Sequence, residues 1–271
     1  MNKIALVTGA SSGIGKDTAI LLQQNGHQVY GAARRTEKMK DLESHGIKTI
    51  ALDITDEDSV VSCVNTIIEN EGRIDVLVNN AGYGSYGAIE DVTIEEARRQ
   101  FDVNIFGLAR LTQLVLPKMR ENRFGKIVNI SSMGGKVYTG FGGWYHATKH
   151  ALEGWSDCLR LETKEFGIDV VVIEPGGIKT EWGEIAAENL KKTSGQGAYA
   201  AAANKSADGM AEIYKSNRLS DPSVISKAIL KSVTARKPKT RYLIGMGAKP
   251  AIFVRKWFGD RVFDYAITRM M

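Results

Sequence analysis

The sequence predicts an α/β fold, with one parallel sheet covered by helices on both faces, for three reasons. Short runs rich in Val and Ile alternate along the chain with longer segments of helical period. These runs are apolar on both faces, as strands are when helices cover both sides of a parallel sheet. A glycine-rich turn joins the first run to the first helical segment. Such repeated strand–helix units predict a doubly wound, Rossmann-type sheet with right-handed crossovers.

The predicted elements follow one another in a regular order. Strands are predicted at 4–8, 28–33, 49–52, 76–78, 126–130, 170–173 and 242–244. Helical periods between them include 14–24, 59–69 and 95–120, and a later helix is predicted to begin at Pro222. The pattern contains no repeat and no linker, so we expect a single domain over residues 1–271.

Two segments depart from this alternation. Residues 181–221 contain few large apolar side chains, so we expect them to be mobile or only conditionally ordered. Residues 249–271 form a C-terminal helical extension in which Phe258, Val262 and Tyr265 share one stripe among basic residues. This stripe is expected either to pack against the fold or to contact a membrane surface. The extension should cover the substrate pocket or form part of its rim.

The composition is that of a soluble globular protein, with 43% apolar and 25% charged residues. The apolar runs are too short for a signal peptide or a membrane span, and two separated cysteines fit a reduced compartment. A cytoplasmic protein is therefore expected. Residues 222–271 carry eleven Lys and Arg against two Asp, a net of +9. We interpret this as a solvated basic surface, with contact to anionic lipid or another acidic partner as the alternative. Nucleic acid is not a predicted partner, because no recognised motif accompanies the charge.

The turn after the first strand is suited to binding a phosphate. Gly9, Gly13 and Gly15 allow backbone angles and a close approach that a side chain would prevent. The following helix offers free N–H groups to a pyrophosphate at its N-terminus. The second strand ends at Arg34 and Arg35, without the carboxylate that would hold a ribose 2′-hydroxyl. Two guanidiniums suit a 2′-phosphate, so NADP(H) is the predicted cofactor, and exposed loop arginines are the alternative.

A hydroxyl, a phenol and an amine are spaced for proton transfer at a carbonyl. Tyr145 and Lys149 are four residues apart and share a face if the segment is helical. The ammonium is expected to lower the pKa of the phenol from its usual value of ~10, so that Tyr145 can exchange a proton with the substrate oxygen. Ser132 would hydrogen-bond that oxygen, and Ser131 is the competing hydroxyl.

Other chemistry is less well supported. His146 and His150 have the spacing of metal ligands on a helix, but no third ligand is patterned with them, so no metal is predicted. Several aromatic residues border the predicted site and suggest an apolar pocket, which favours lipophilic substrates. They are Tyr83, Tyr86, Tyr138, Phe141, Trp144 and Trp182.

The ordered set of motifs resembles the short-chain dehydrogenase/reductase family over roughly residues 3–245. The glycine spacing, Gly-x3-Gly-x-Gly, is that family's variant, and the interval of thirteen residues before Tyr145 favours Ser132 over Ser131. The resemblance implies that Lys149 also holds the nicotinamide ribose and that Asn104 holds a water joining Lys149 to solvent. The implied cofactor contacts are Gly9, Ser11, Ser12, Gly13, Ile14, Gly15, Arg34, Arg35, Asp53, Ile54, Asn80, Ala81, Gly82, Tyr145, Lys149, Pro175, Gly176, Ile178 and Thr180.

The same resemblance implies an activity and an assembly. Members interconvert carbonyls and alcohols, and the arginine-ended second strand and long C-terminus resemble the branch acting on hydroxysteroids, retinoids and other lipophilic carbonyls. Residues 181–221 take the place of a substrate lid, and the long helices near 95–120 and 145–166 commonly pair into homodimers or homotetramers. Two alternatives remain: a 3-oxoacyl-thioester reductase, which the extension argues against, and a non-catalytic nucleotide-sensing protein, whose relatives typically lack the Tyr or the Lys.

Overall fold

Seven strands form one parallel sheet in the computed structural model, which describes residues 2–270. The strands are β1 (Ile4–Thr8), β2 (Gln28–Ala33), β3 (Lys48–Ala51), β4 (Val76–Asn79), β5 (Gly125–Ile130), β6 (Ile168–Pro175) and β7 (Arg241–Ile244). Their order in the sheet is β3-β2-β1-β4-β5-β6-β7. The connections reverse direction between β1 and β4, which opens a crevice at the carboxyl ends of these strands. The predicted fold class is confirmed.

Helices cover both faces of the sheet. They are α1 (Gly13–Gln24), α2 (Lys40–Glu43), α3 (Glu57–Glu71), α4 (Ile94–Phe101), α5 (Leu108–Glu121), α6 (Gly143–Thr163), α7 (Trp182–Ser194), α8 (Ala200–Lys215), α9 (Ser223–Thr234) and α10 (Ala248–Met270). Alternate β1 residues supply the two cores: Val7 packs with α1 and α9, and Leu6 packs with α3, α5 and α6. Because helices cover both faces, the inner strands β1, β4 and β5 are buried at every position, whereas the edge strands β3 and β7 are only partly buried.

The single helix predicted over 95–120 is interrupted, and that prediction is wrong in its middle. A segment of π-helix, Asp102–Gly107, separates α4 from α5. At Gly107 the chain passes so close to Ile54 that a Cβ would overlap the carbonyl oxygen of Ile54. The wider turn of a π-helix shifts the side chains relative to a regular helix, and such segments often occur at functional sites. Asn104 lies within this segment.

The expectation that residues 181–221 have too little to bury is wrong. The segment contains α7 and α8, which pack against each other through small buried side chains. Ala186 and Ala187 on α7 meet Ala203 and Ala207 on α8. Alanine lets two helix backbones approach closely, so large apolar anchors are not needed for this pairing. The mobility of this segment without substrate stays a prediction.

The C-terminal extension is helical, but a different residue anchors it from those expected. Gly259 breaks α10 with backbone angles of φ 75° and ψ −175°. Phe263 is buried against Tyr138, with ring centroids 5.2 Å apart. The predicted stripe of Phe258, Val262 and Tyr265 stays exposed, so its burial against the fold is not what the structure shows. Among the described residues, no helix is both long and apolar enough to span a bilayer.

Candidate active site

The glycine turn between β1 and α1 lies at the crevice. Gly9 and Gly13 have φ values of +66° and +53°, which residues with a side chain rarely adopt. A Cβ on Gly15 would overlap the carbonyl oxygen of Gly9. Within the described residues, the side chain of Ser12 forms no capping hydrogen bond to α1, which leaves the first N–H groups of the helix for a ligand. A cleft of about 590 Å³ opens here, and its lining includes Ser11, Ser12 and Gly13. The turn therefore fits a pyrophosphate.

Thr8 ties this turn to the segment after β4. Its hydroxyl accepts hydrogen bonds of 3.0 Å from the backbone N–H groups of both Asn80 and Ala81. The Asn80 side chain donates to the Thr8 carbonyl at 2.9 Å. The structure thus brings the predicted residues Asn80 and Ala81 against the glycine turn. Sequence analysis missed Thr8, although its place at the end of the first strand marked it.

The end of β2 places the two arginines beside the same crevice. Arg34 and Arg35 are exposed, and an Arg35 Nη2 lies 3.5 Å from the Ser11 hydroxyl. Burial raises the pKa of Asp53, but hydrogen bonds from Thr55 and the charge of Arg34 outweigh it and hold that pKa below its ordinary value. The positive charge therefore lies between the glycine turn and the end of β3. An anionic group on the ribose would find its counter-charge here.

The loop after β6 closes the site from the other side. Gly176 donates a backbone hydrogen bond to Ile244 at 2.8 Å, which fastens this loop to the end of β7. Ile178 is buried, and Thr180 lies so near the glycine turn that a Cβ on Gly13 would be 3.2 Å from its methyl group. Pro175 accepts a 3.5 Å hydrogen bond from the Ser132 hydroxyl. The loop thus connects the glycine turn with Ser132.

Ser132, Tyr145 and Lys149 converge at the carboxyl edge of the sheet. Tyr145 and Lys149 lie on α6, and the Lys149 ammonium is 5.9 Å from the centre of the phenol ring. The Ser132 hydroxyl lies close enough to the phenol to lower its pKa, whereas Ser131 is buried and its hydroxyl has no partner among the described residues. This geometry favours Ser132 over Ser131. A Cβ on Gly82 would lie 3.9 Å from the ammonium, so the segment after β4 borders the same group.

The expected lowering of the Tyr145 pKa is not found. Burial raises the pKa of Tyr145 to about 12, and the hydrogen bond with Ser132 only partly opposes this. The Lys149 ammonium is directed to the Ile130 carbonyl at 2.9 Å rather than to the phenol oxygen. Burial lowers the pKa of Lys149 to about 8, since a desolvated ammonium is costly, while the charge of Glu153 acts in the other direction. Desolvation therefore has a larger effect on the pKa values of Tyr145 and Lys149 than the attraction between the ammonium and a phenolate.

The π-helical segment directs Asn104 toward the segment after β4. Its amide nitrogen donates to the Tyr83 carbonyl at 2.9 Å and to the Thr148 hydroxyl at 3.1 Å. Its amide oxygen accepts from the Tyr83 N–H at 3.1 Å and lies 3.0 Å from where a Cβ of Gly82 would be. Asn104 thus links α6 to the Gly82 segment. Its expected part in holding a water stays a prediction.

Only some of the six aromatic residues surround the phenol. The Trp182 and Tyr86 rings lie 5.2 Å and 5.8 Å from the Tyr145 ring, and Phe141 packs in the same cluster. Tyr214 on α8 lies against Gly183, next to Trp182, and sequence analysis missed it because the pairing of α7 with α8 brings it there. Three of the six point elsewhere: Trp144 packs on Phe101, Tyr83 donates to Glu96, and Tyr138 donates to Asp264.

These contacts leave Tyr145 covered in this structure. Its side chain is 7% exposed, and Trp182, the first residue of α7, lies directly on it. The aromatic cluster thus separates the phenol from solvent, and the function of α7 and α8 as a substrate lid stays a prediction. His146, next in sequence, has protein partners for both ring nitrogens: the Gly134 carbonyl at 3.0 Å and the Thr139 N–H at 3.0 Å.

Comparison with known proteins gives concordant matches. A family model described as short chain dehydrogenase matches residues 3–191. A probable short-chain type dehydrogenase/reductase VdlC from Helicobacter pylori is 38% identical, covering 90% of this chain and 88% of the relative. A 3-ketodihydrosphingosine reductase from Bacteroides thetaiotaomicron is 38% identical, covering 98% of this chain and 96% of the relative. A solved short-chain dehydrogenase from Streptomyces avermitilis has a TM-score of 0.83 at 34% identity, covering 94% of this chain and 93% of that one.

Proposed function

The chain belongs to the short-chain dehydrogenase family, and we propose that it is an NADP(H)-dependent enzyme interconverting a lipophilic ketone or aldehyde and the corresponding alcohol. The convergence of Ser132, Tyr145 and Lys149 beside a pyrophosphate-binding turn carries this proposal. Similarity to a 3-ketodihydrosphingosine reductase supports a ketone as the oxidised substrate. The finer assignment, to the branch acting on hydroxysteroids and retinoids, stays a prediction.

The roles of the residues follow from their contacts. NADP(H), when bound, supplies or accepts the hydride. The Ser132 hydroxyl donates a hydrogen bond to the substrate oxygen and holds it near the phenol. In reduction Tyr145 donates its proton to that oxygen, and in oxidation it removes the proton from the alcohol. Because its pKa is about 12, the phenol is protonated at neutral pH and can act as the proton donor in reduction. Lys149 holds the nicotinamide ribose, close to the Gly82 segment.

The preference for NADP(H) rests on the end of β2. Arg34 and Arg35 are exposed at the crevice, where a 2′-phosphate can receive two guanidiniums. The preference for lipophilic substrates rests on the aromatic cluster of Tyr86, Phe141 and Trp182 around the phenol. Such rings provide an apolar lining with few polar partners for sugars or charged acids.

A carbonyl screen tests the proposal. Loss of absorbance at 340 nm is followed with NADPH or NADH and a panel of small ketones, long-chain ketones, retinoid aldehydes and a 3-oxoacyl thioester. We expect turnover with NADPH that is highest for large apolar carbonyls, and turnover lower by about 10²–10⁴-fold with Tyr145→Phe. A protein that binds NADPH but reduces nothing would support the nucleotide-sensing alternative. Highest efficiency with the thioester would support the 3-oxoacyl-thioester reductase.

We also propose a homodimer or homotetramer formed through α5 and α6, in a cytoplasmic protein. Phe106, in the π-helical segment just before α5, and Leu161, near the end of α6, are 61% and 70% exposed. Association would remove both side chains from water, which is the usual driving force for such interfaces. Light scattering coupled to size exclusion measures the mass, and Leu161→Asp should reduce it. A monomer at micromolar concentration would contradict this assembly.

A further inference from the structure

The first half of α10 carries an exposed aromatic patch, defined here as Phe253, Trp257 and Phe258. The Phe253 ring lies 6.3 Å from the Trp257 ring and 6.1 Å from the Phe258 ring, so the three form one surface. Their exposed fractions are 56%, 68% and 57%. Scattered apolar residues are normal on protein surfaces, but three clustered aromatic rings are not. The aromatic patch therefore marks a binding surface.

Basic side chains accompany the aromatic patch. The Lys256 ammonium lies 5.7 Å from the centre of the Trp257 ring, and Arg261 is exposed just beyond the break at Gly259. Both acidic residues of the segment 222–271 are already engaged: Asp260 pairs with Arg255, and Asp264 accepts from Tyr138. The extension itself, residues 249–271, carries five Lys and Arg against these two Asp, a net of +3. The surface therefore combines apolar rings with uncompensated positive charge.

The combination of aromatic rings and basic side chains indicates which kind of partner this surface binds. Aromatic rings prefer the boundary between lipid headgroups and acyl chains, and Lys or Arg beside them are attracted to anionic headgroups. A second copy of this chain would bring the same positive charges together, which disfavours it as the occupant. A bilayer containing anionic lipid satisfies both the rings and the charges.

The contacts of Phe263 and Arg255 with Tyr138 determine on which side of the molecule such a bilayer would lie. Phe263 packs edge-on against Tyr138, and the Arg255 guanidinium lies 5.2 Å from the same ring. Tyr138 belongs to the connection between Ser132 and Tyr145. The extension also follows β7 at the carboxyl edge of the sheet, where the catalytic group lies. The aromatic patch is therefore carried on the active-site edge of the molecule.

We propose that the C-terminal helix docks the protein onto anionic bilayers, with the aromatic patch at the headgroup boundary and Lys256 and Arg261 against lipid phosphates. This binding does not depend on which carbonyl the enzyme reduces. If the proposed function also holds, docking would place the lid next to the membrane in which lipophilic substrates dissolve.

Sedimentation with vesicles tests the proposal. The full chain is mixed with sucrose-loaded vesicles of phosphatidylcholine alone or with phosphatidylglycerol. We expect binding to the anionic vesicles only, weakened by salt. Replacing Phe253, Trp257 and Phe258 together by Ser should reduce the partition coefficient at least about tenfold. Lys256→Glu with Arg261→Glu should also reduce it, since each basic charge contributes about fivefold at an anionic surface.

Matched variants separate docking from general charge attraction. Lys227→Glu with Lys231→Glu makes the same change of net charge on α9, where both side chains are exposed. Ile94→Ser removes an apolar residue of similar exposure from α4. Both controls should bind anionic vesicles within about twofold of the unmodified protein. An unchanged NADPH dissociation constant and far-ultraviolet circular dichroism verify the fold of every variant.

Three results would overturn the proposal. The first is failure of the unmodified chain to sediment with anionic vesicles. The second is an equal loss of binding in the α9 charge control, which would show diffuse attraction rather than a docking surface. The third is a fall in oligomer mass when the aromatic patch is replaced, without any vesicle binding by the parent protein. That result would assign the aromatic patch to a second copy of the chain.

Discussion

Replacing Arg34 and Arg35 by Ala tests the cofactor assignment most directly. Both follow the last residue of β2 and are exposed at the crevice, and the Arg35 guanidinium makes a long contact of 3.5 Å with the Ser11 hydroxyl. Neither supports the core of the fold. We expect the double variant to lose NADPH affinity while its NADH affinity stays within about twofold.

The size of the loss follows from the exposure of the two side chains. Hydrogen bonds to charged groups contribute roughly 1.5–3 kcal/mol each. Because both guanidiniums are exposed to water and salt, the lower end of this range applies. About 1.5 kcal/mol per arginine corresponds to about tenfold per contact and about a hundredfold for the pair. The effect should shrink as salt is raised, because screening weakens exposed contacts.

Titration of cofactor fluorescence measures both affinities. Arg236→Ala removes an exposed arginine from another part of the surface and serves as the matched control. It should leave both dissociation constants unchanged. Equal loss of NADPH and NADH affinity in the double variant would show that the arginines do not contact the 2′-phosphate. Equal efficiency of the unmodified protein with either cofactor would refute the interpretation of β2.

Four further predictions concern the catalytic group, the turn and the extension. Tyr145→Phe should lower kcat by about 10²–10⁴-fold at an unchanged NADPH dissociation constant; more than about a tenth of normal activity would contradict its role. The Lys149 pKa of about 8 predicts that kcat/KM for reduction falls as pH rises through that value, because the ammonium loses its charge while the phenol stays protonated; a flat profile between about pH 7 and 9 would contradict this. Gly15→Ala should reduce the free energy of unfolding by about 1–3 kcal/mol in denaturant titrations, since its Cβ would overlap the Gly9 carbonyl; an unchanged midpoint would show that the turn can relax. Deleting 249–271 should raise KM for large lipophilic ketones more than for small ones, and equal changes for both would remove the extension from the pocket rim.

Local patterns in the sequence were sufficient for the fold class and for the main chemical groups. Strand and helix periods reflect which faces are buried, so the seven strands could be located to within two residues. The spacing of Tyr145 and Lys149 places them on one face of any helix, whatever surrounds it. The glycine spacing likewise reports a local backbone requirement, which the positive φ values of Gly9 and Gly13 match.

Features that depend on distant partners could not be read from local patterns. The π-helical segment at Asn104 exists where Gly107 meets Ile54, a contact between residues far apart in the chain. The alanines of α7 and α8 looked too small to form a core, yet two helices together bury them. Burial in three dimensions also decided that Phe263, rather than the Phe258 stripe, anchors the extension.

The pKa of Tyr145 beside Lys149 shows most clearly what the sequence determines and what only the tertiary structure decides. The sequence determined that a phenol and an ammonium lie one helical turn apart, and this predicted a lowered phenol pKa. In the tertiary structure the pKa of Tyr145 is raised instead. Trp182 from α7 covers Tyr145, and the Lys149 ammonium donates its hydrogen bond to the Ile130 carbonyl of β5. The desolvation of a side chain depends on every residue packed around it, whereas a sequence pattern contains only its neighbours along the chain.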